Sequence, residues 1–288
     1  MPETDRPSRA IVLCADDYAL SAGVDDAILD LASAGRLTAI GCLVQSPRWP
    51  AAAKALAPLR ARPDIGLHFN LTEPLGHAWH RTLPQLLIVS QLHLLPLGRI
   101  RTSLEAQLDA FADAVQAPPD YIDGHRHVHQ FPQIRDTLLE ALEQRGWRPW
   151  LRVTTPLVTA NRAGTLKAHL IAALGASRLG QRCRQTSWPH NPAFTGIYGF
   201  NADAAGYLAL LQSWFTRIPA GTLFMCHPGA DAKRLAVDPI APARRVEYEV
   251  LRSADFTRLL AQQNLRPATG RSLYALPPAV TAEKALSP

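Results

Sequence analysis

Ile11-Val12-Leu13-Cys14-Ala15-Asp16-Asp17 is an apolar run that ends in two adjacent carboxylates. The run reads as a strand. Side by side at its end, Asp16 and Asp17 repel each other and lose hydration. A fold that tolerates such a pair supplies a cation or uses one proton as a tool. The stretch therefore predicts a strand with chemistry at its C-terminal end.

The pattern continues outward as short apolar runs alternating with amphipathic helices. Ser21 is a suitable N-cap, with Asp25 and Asp26 at the positive end of the helix that follows. Val24, Ile28 and Leu31 mark its buried face, and Gly35 ends it. Strands are predicted at Thr38 to Val44, Ile65 to Leu71, Tyr121 to Gly124, Trp150 to Val153 and Thr222 to Cys226, with a last one near Leu273 to Leu276. Helices are predicted at Ala51 to Leu59, Leu104 to Val115, from Pro132 to Gly146, Leu166 to Leu174, Ala204 to Phe215 and Val250 to Gln263. Residues 73–100 carry three prolines and no clear period, and 187–200 are rich in Pro, Gly and aromatics. Both read as functional loops. Strand-helix repetition favours a parallel sheet, open or closed into a barrel, with chemistry at the C-terminal strand ends.

The 288 residues suit one α/β domain over 10–277, flanked by tails at 1–9 and 278–288. Hydrophobic content of 47% and charged content of 19% describe an ordinary globular chain. The net charge of +6 comes from scattered arginines, and aromatics are 7%. A nucleic-acid groove needs a basic stripe with interleaved aromatics, so that partner class is set aside. Cys14, Cys42, Cys183 and Cys226 form no C-x-x-C pair, and three lie in apolar runs, which suits a reducing compartment. The first nine residues have no apolar signal core, and no apolar stretch approaches the ~18 residues of a membrane span. The expectation is a cytoplasmic protein with no integral membrane segment. A homodimer is compatible with the sequence.

Other strand ends carry further titratable groups. Gly66-Leu67-His68-Phe69-Asn70 sets a histidine in an apolar run, and Asp123-Gly124-His125-Arg126-His127-Val128-His129 sets three at spacing two. Two imidazoles and a carboxylate are a common set for a catalytic divalent metal with open positions. Asp17, His68 and His125 are the chosen ligands. His127 shares the face of His125 if the segment stays extended, and is then an alternative ligand or a substrate contact. With Asp17 on the metal, Asp16 is free to act as a base. His227, in Cys226-His227-Pro228-Gly229, is a natural general acid. Arg152 is placed to hold Asp16 by a two-pronged pair. Asn70 is suited to bind a substrate hydroxyl or to start the loop, and Tyr198 to stack on a sugar or to fill the core.

In this order, Ala15-Asp16-Asp17-Tyr18, Gly66 to Thr72, Asp123 to His129 with Phe131-Pro132, and Met225-Cys226-His227-Pro228 resemble the YdjC-like carbohydrate deacetylases, which include chitooligosaccharide and hopanoid-pathway deacetylases. The resemblance implies a TIM-barrel-like (β/α) fold, distorted or seven-stranded. It implies hydrolysis of an acetamide on a sugar or glycolipid, releasing acetate. It further implies one divalent ion on Asp17, His68 and His125, with Asp16 as base and His227 as acid. Zinc and magnesium suit that set best, and manganese is compatible. Cys14 stands where the family usually has Asn, Ala19 where Gly is common, and Arg126 where relatives often have His or Gln. These departures leave the ligand positions intact and bear on the substrate. Two rival classes fit part of the pattern. An iron oxygenase leaves Asp16 and His227 without a role. A non-catalytic carbohydrate-binding protein leaves the whole constellation unused.

Overall fold

The computed structural model describes residues 7–59, 63–76, 79–155, 175–230 and 238–274. Its sheet strands are β1 (Arg9–Tyr18), β2 (Ala39–Cys42), β3 (Asp64–Phe69), β4 (Tyr121–Gly124), β5 (Trp150–Leu151), β6 (Phe194–Thr195), β7 (Leu223–Cys226) and β8 (Leu265–Pro267). All pair in parallel, in the order β5-β4-β3-β2-β1-β7-β6, with β8 against the start of β1. The chain entering β6 spans the gap between the two edges. Leu151 N donates to Pro189 O at 2.9 Å, and the Asn191 amide ties Val153 to Ala193. The result is a curled, barrel-like (β/α) sheet in a single domain.

The helices are α1 (Ala22–Ser33), α2 (Trp49–Leu56), α3 (Leu83–Gln91), α4 (Leu97–Val115), α5 (Ile134–Gln144), α6 (Ser177–Gln185), α7 (Ala204–Phe215), α8 (Ala241–Arg252), α9 (Ala254–Gln262) and α10 (Gly270–Tyr274). As expected, the Ser21 hydroxyl caps α1 by accepting from Val24 N.

Strand alternation sorts the residues. Ile11, Leu13 and Ala15 of β1, Ile65, Leu67 and Phe69 of β3, and Phe224 and Cys226 of β7 belong to the large core shared with the helices. Val12, Cys14, Tyr121, Trp150, Leu223 and Met225 form a second core inside the curl. Continuing that inward register by two residues reaches Asp16, His68, Asp123, Arg152 and His227. The site is therefore the upper layer of the barrel interior, resting on an apolar floor.

Aromatic rings make that floor. Tyr121 stacks on Trp150 at 4.2 Å, and Tyr274 of α10 meets Trp150 edge-on at 5.3 Å. A Cβ at Gly66 would lie 2.3 Å from the Tyr121 ring, so glycine is what admits it. Beneath the rings, the buried Asp64 accepts from Trp150 Nε1 and Arg271 N, both at 2.9 Å. Burial pushes its carboxyl up to about 6. A raised folded-state pKa gives stability that is full below the unfolded value and is lost as pH rises to about 6. Asp64→Asn keeps an acceptor but cannot ionise. Between pH 4 and pH 7 the variant should gain on the parent by on the order of 2 kcal/mol in urea unfolding. A difference that stays constant over that range would contradict the assignment.

Four expectations are corrected. Residues 73–100 are not one irregular loop, since α3 and the start of α4 lie there; Pro84 and Pro96 sit at helix starts, where proline is tolerated. The helix over Val250 to Gln263 is two helices parted at Ser253, which is extended (ψ 160°) and caps the second by accepting from Phe256 N. The last strand is Leu265–Pro267, too short to show alternation, and Leu273 lies in α10. The run from His125 does not stay extended: it coils into a 3-10 turn with Arg126 and His127 at φ 54° and 61°. The helix expected at Leu166 to Leu174 and the tail 278–288 lie outside the described residues.

Candidate metal centre and active site

Simple alternation would put Asp16 and Asp17 on opposite faces of β1. A register shift against β2 between Ala15 and Tyr18, with Asp17 at φ 70°, turns both carboxylates toward the site. Asp tolerates this left-handed conformation better than most residues. Both side chains are almost fully buried.

Asp17 is the hub of one cluster. Its Oδ1 lies 2.9 Å from His125 Nδ1 and 3.3 Å from His68 Nε2. Ligand-type atoms of Asp17, His68 and His125 all fall within 4.8 Å of one another. His68 is oriented from behind, because its Nδ1 donates to the fully buried Asp123 at 2.6 Å. An outer carboxylate of this kind commonly fixes the tautomer of a metal-binding histidine. Burial alone would lower the His68 pKa, yet Asp123 and Asp16 push it up to about 10. That field is negative and favours a cation. The donor set, the spacing and the field thus all fit one divalent metal ion. Arg244 closes the other side, donating to Asp17 Oδ2 at 2.7 Å. Burial opposes ionisation of Asp17, but Arg244 and then His125 hold its carboxyl well below the usual range.

Cys14, Asp16 and Asp123 also cluster at metal-like spacing, but their centre is filled by the protein's own cation. The fully buried Arg152 donates to Asp16 through both terminal nitrogens, at 2.7 and 2.5 Å. It also reaches Asp123 at 2.6 Å and Cys14 Sγ at 3.0 Å. Against the cost of burial, Arg152 lowers the Asp16 pKa and keeps it a carboxylate.

The model of the YdjC-like protein family matches residues 10–262. The chain belongs to the YdjC-like protein family. Chitooligosaccharide deacetylases of Salmonella typhimurium and Salmonella paratyphi B are each 27% identical to it over 268 residues, covering 91% of this chain and 98% of theirs. A crystallised Enterococcus faecalis protein, described as a candidate cellobiose-phosphate cleavage protein, superposes with a TM-score of 0.68 at 18% identity. That match covers 93% of this chain and all of the other. At that identity the superposition speaks for the fold.

In this YdjC-like chain, Asp16, Asp17, His68, His125, His127 and His227 line one cavity of about 750 Å³. His227 Nε2 is 3.9 Å from Asp16 Oδ2, and its ring meets Phe200 edge-on at 5.2 Å. Burial pushes its pKa down to about 4, against the pull of Asp16. His127 is not in the Asp17 cluster. Its ring turns to Phe194 at 5.8 Å, and its buried Nδ1 has no hydrogen-bond partner among the described residues. Tyr198 lines the cavity while its hydroxyl donates to Glu247 at 2.7 Å. Asn70 is not among the residues that line this cavity. Its side chain accepts from Thr72 N and Glu73 N and donates to Gln45 and Glu73 O, so it builds the turn that follows β3.

Sequence reasoning assigned no role to four residues that shape this YdjC-like site. Asp123 had a signal, since it precedes His125 by two on the inward register. Glu73, whose carboxylate lies 3.6 Å from His125 Nε2, had only proximity to His68 in the chain. Arg244 and Glu247 sit on α8 among other charged residues, and nothing local separates them. Glu247 is fully buried, accepts from His227 N at 2.5 Å, and has its pKa pushed by burial to about 7.

Proposed function

We propose that the protein is a carbohydrate N-deacetylase that hydrolyses the acetamide of an N-acetylated sugar to acetate and a free amine. The observation that carries this reading is the convergence of Asp17, His68 and His125 beside Asp16 and His227 in one cavity. The similarity to chitooligosaccharide deacetylases over most of the chain supports it.

Asp17, His68 and His125 hold a divalent ion, with zinc, magnesium and manganese as the candidates. When bound, that ion supplies Lewis acidity to the acetyl oxygen and acidifies water. Asp16, kept ionised by Arg152, takes the proton from the attacking water. His227, neutral at rest, takes up the proton that Asp16 removed, through one water across their 3.9 Å separation, and passes it to the nitrogen as the acetamide C–N bond breaks. One proton thus passes from water to the leaving amine, and the charges balance. Glu247 positions His227 through its backbone, and the apolar cavity wall excludes bulk water.

The test is acetate release from N-acetylglucosamine oligomers after chelation and return of each metal. Asp16→Asn should retain metal while turnover falls roughly 10²–10⁴-fold. Near-parental turnover in that variant would remove Asp16 as the base. Asp123→Asn weakens the hold on His68 and should reduce metal affinity about 10–100-fold in a chelator competition. Unchanged affinity would mean that the Asp123–His68 bond does not tune the site.

A further inference from the structure

Among the described residues, the exposed large hydrophobics are Ile88, Leu92, Leu94 and Leu97, at 46–68% exposure. All four fall within ten positions, on the outer side of α3 and the turn into α4. Such clustering on a surface marks an interaction site. The same helix has two other faces. Leu86 and Ser90 are fully buried, and the Ser90 hydroxyl donates to Pro132 O at 2.7 Å, so α3 is anchored to the body. Leu83, Pro84 and Leu87 line the active-site cavity. One helix therefore joins the apolar wall of the cavity to an apolar outer surface.

Along the chain that carries this patch the charge has one sign. Between Glu73 and Glu105 the sequence has no acidic residue, while Arg81 and Arg99 are present and Arg101 is paired with Glu105 at 2.7 Å. Arg81 and Arg99 are exposed on either side of the apolar cluster. Arg81 lies over the half-buried Trp79 ring at 5.4 Å, an aromatic-cation pair suited to a membrane interface. Exposed aliphatics framed by arginines, without acids, are the signature of a segment that lies in an anionic bilayer surface. A soluble oligosaccharide calls for none of it.

We propose that α3 and the α3–α4 turn dock on an anionic lipid bilayer, so that the cavity receives its acetylated sugar from a lipid-borne glycoconjugate. The docking surface stands on the patch and its charge. The lipid-borne substrate rests additionally on the deacetylase reading. Arginines steer the face to the membrane, the four aliphatic side chains enter the headgroup boundary, and the apolar wall of Leu83, Pro84 and Leu87 continues that boundary to the acetyl group.

The full-length chain is tested by flotation with vesicles of neutral phosphatidylcholine alone and with 30% phosphatidylglycerol, roughly the anionic content at which such charge effects operate. Binding to the anionic vesicles is expected, falling with salt. Ile88→Asp with Leu92→Asp and Leu94→Asp should lower it at least about 10-fold. Arg81→Gln or Arg99→Gln should lower it about 5-fold each. The substituted side chains are exposed, and an unchanged melting curve confirms each fold. Acetate release from a soluble N-acetylated oligomer, measured on the same variants, reports the deacetylase reading separately and should stay at the parental rate. No binding by the parent chain to anionic vesicles overturns the proposal. So does a dimer in sedimentation that the triple variant dissociates, because a second copy then covers the patch.

Discussion

Asp17→Ala is expected to remove the bound divalent ion and the acetate-release activity together. Metal content should fall from about one ion per chain to a small fraction, and turnover by at least roughly 10³-fold. Asp17 Oδ1 is the oxygen that both imidazoles approach, so no other carboxylate oxygen of the site replaces it. The fold should survive, because Arg244 keeps its pair with Asp238 at 2.5 Å. Elemental analysis of the purified variant beside its melting curve checks this. A variant that holds its metal yet has lost turnover would move Asp17 from ligand to base, and Asp16 would need another role.

Arg152→Ala carries the largest expected effect on stability. It would leave Asp16 and Asp123 buried, ionised and without their cation. Breaking a buried pair from one side costs about 3–5 kcal/mol. For a chain of this size that corresponds to roughly 10 °C in melting temperature. Arg152→Lys returns the charge without the planar fork, so it should recover most of the stability but not the alignment of Asp16. Melting curves and turnover for the two variants separate these contributions. If Arg152→Ala melts with the parent, the guanidinium is not what stabilises this cluster.

The buried arginine also explains why the chain tolerates adjacent carboxylates. Two cations divide the work: Arg152 faces Asp16, and the cluster around Asp17 is shaped for a metal, with Arg244 behind it. The carboxylate pair foretold compensation of this kind. Arg152, just after β5, was legible as the partner of Asp16, and the structure pairs the two; Arg244 of α8 was not legible.

Much of the fold was legible because its signals are local. The strand at Tyr121–Gly124 and the helix at Ala204–Phe215 have the bounds that their residues predict. Less legible were elements whose ends depend on single capping residues, such as the break at Ser253, or whose length is three residues, such as β8. Residues 73–100 misled because Pro84 and Pro96 mark helix starts there, which periodicity does not distinguish from a loop.

The apolar runs and their polar ends, by themselves, determined a parallel α/β sheet with Asp16, His68, His125 and His227 at its C-terminal edge. Residue spacing along a strand is enough for that, because alternation and burial act over a few neighbouring positions. Tertiary structure alone decided that Asp17 turns inward at a bulge, that His127 turns away from it toward Phe194, and that Asp123, Arg244 and Glu247 join Arg152 around the site. Arg244 stands 227 positions from Asp17, and Arg152 136 positions from Asp16. Charges so far apart in sequence carry no periodic signal, and only the closing of the sheet brings their fields together.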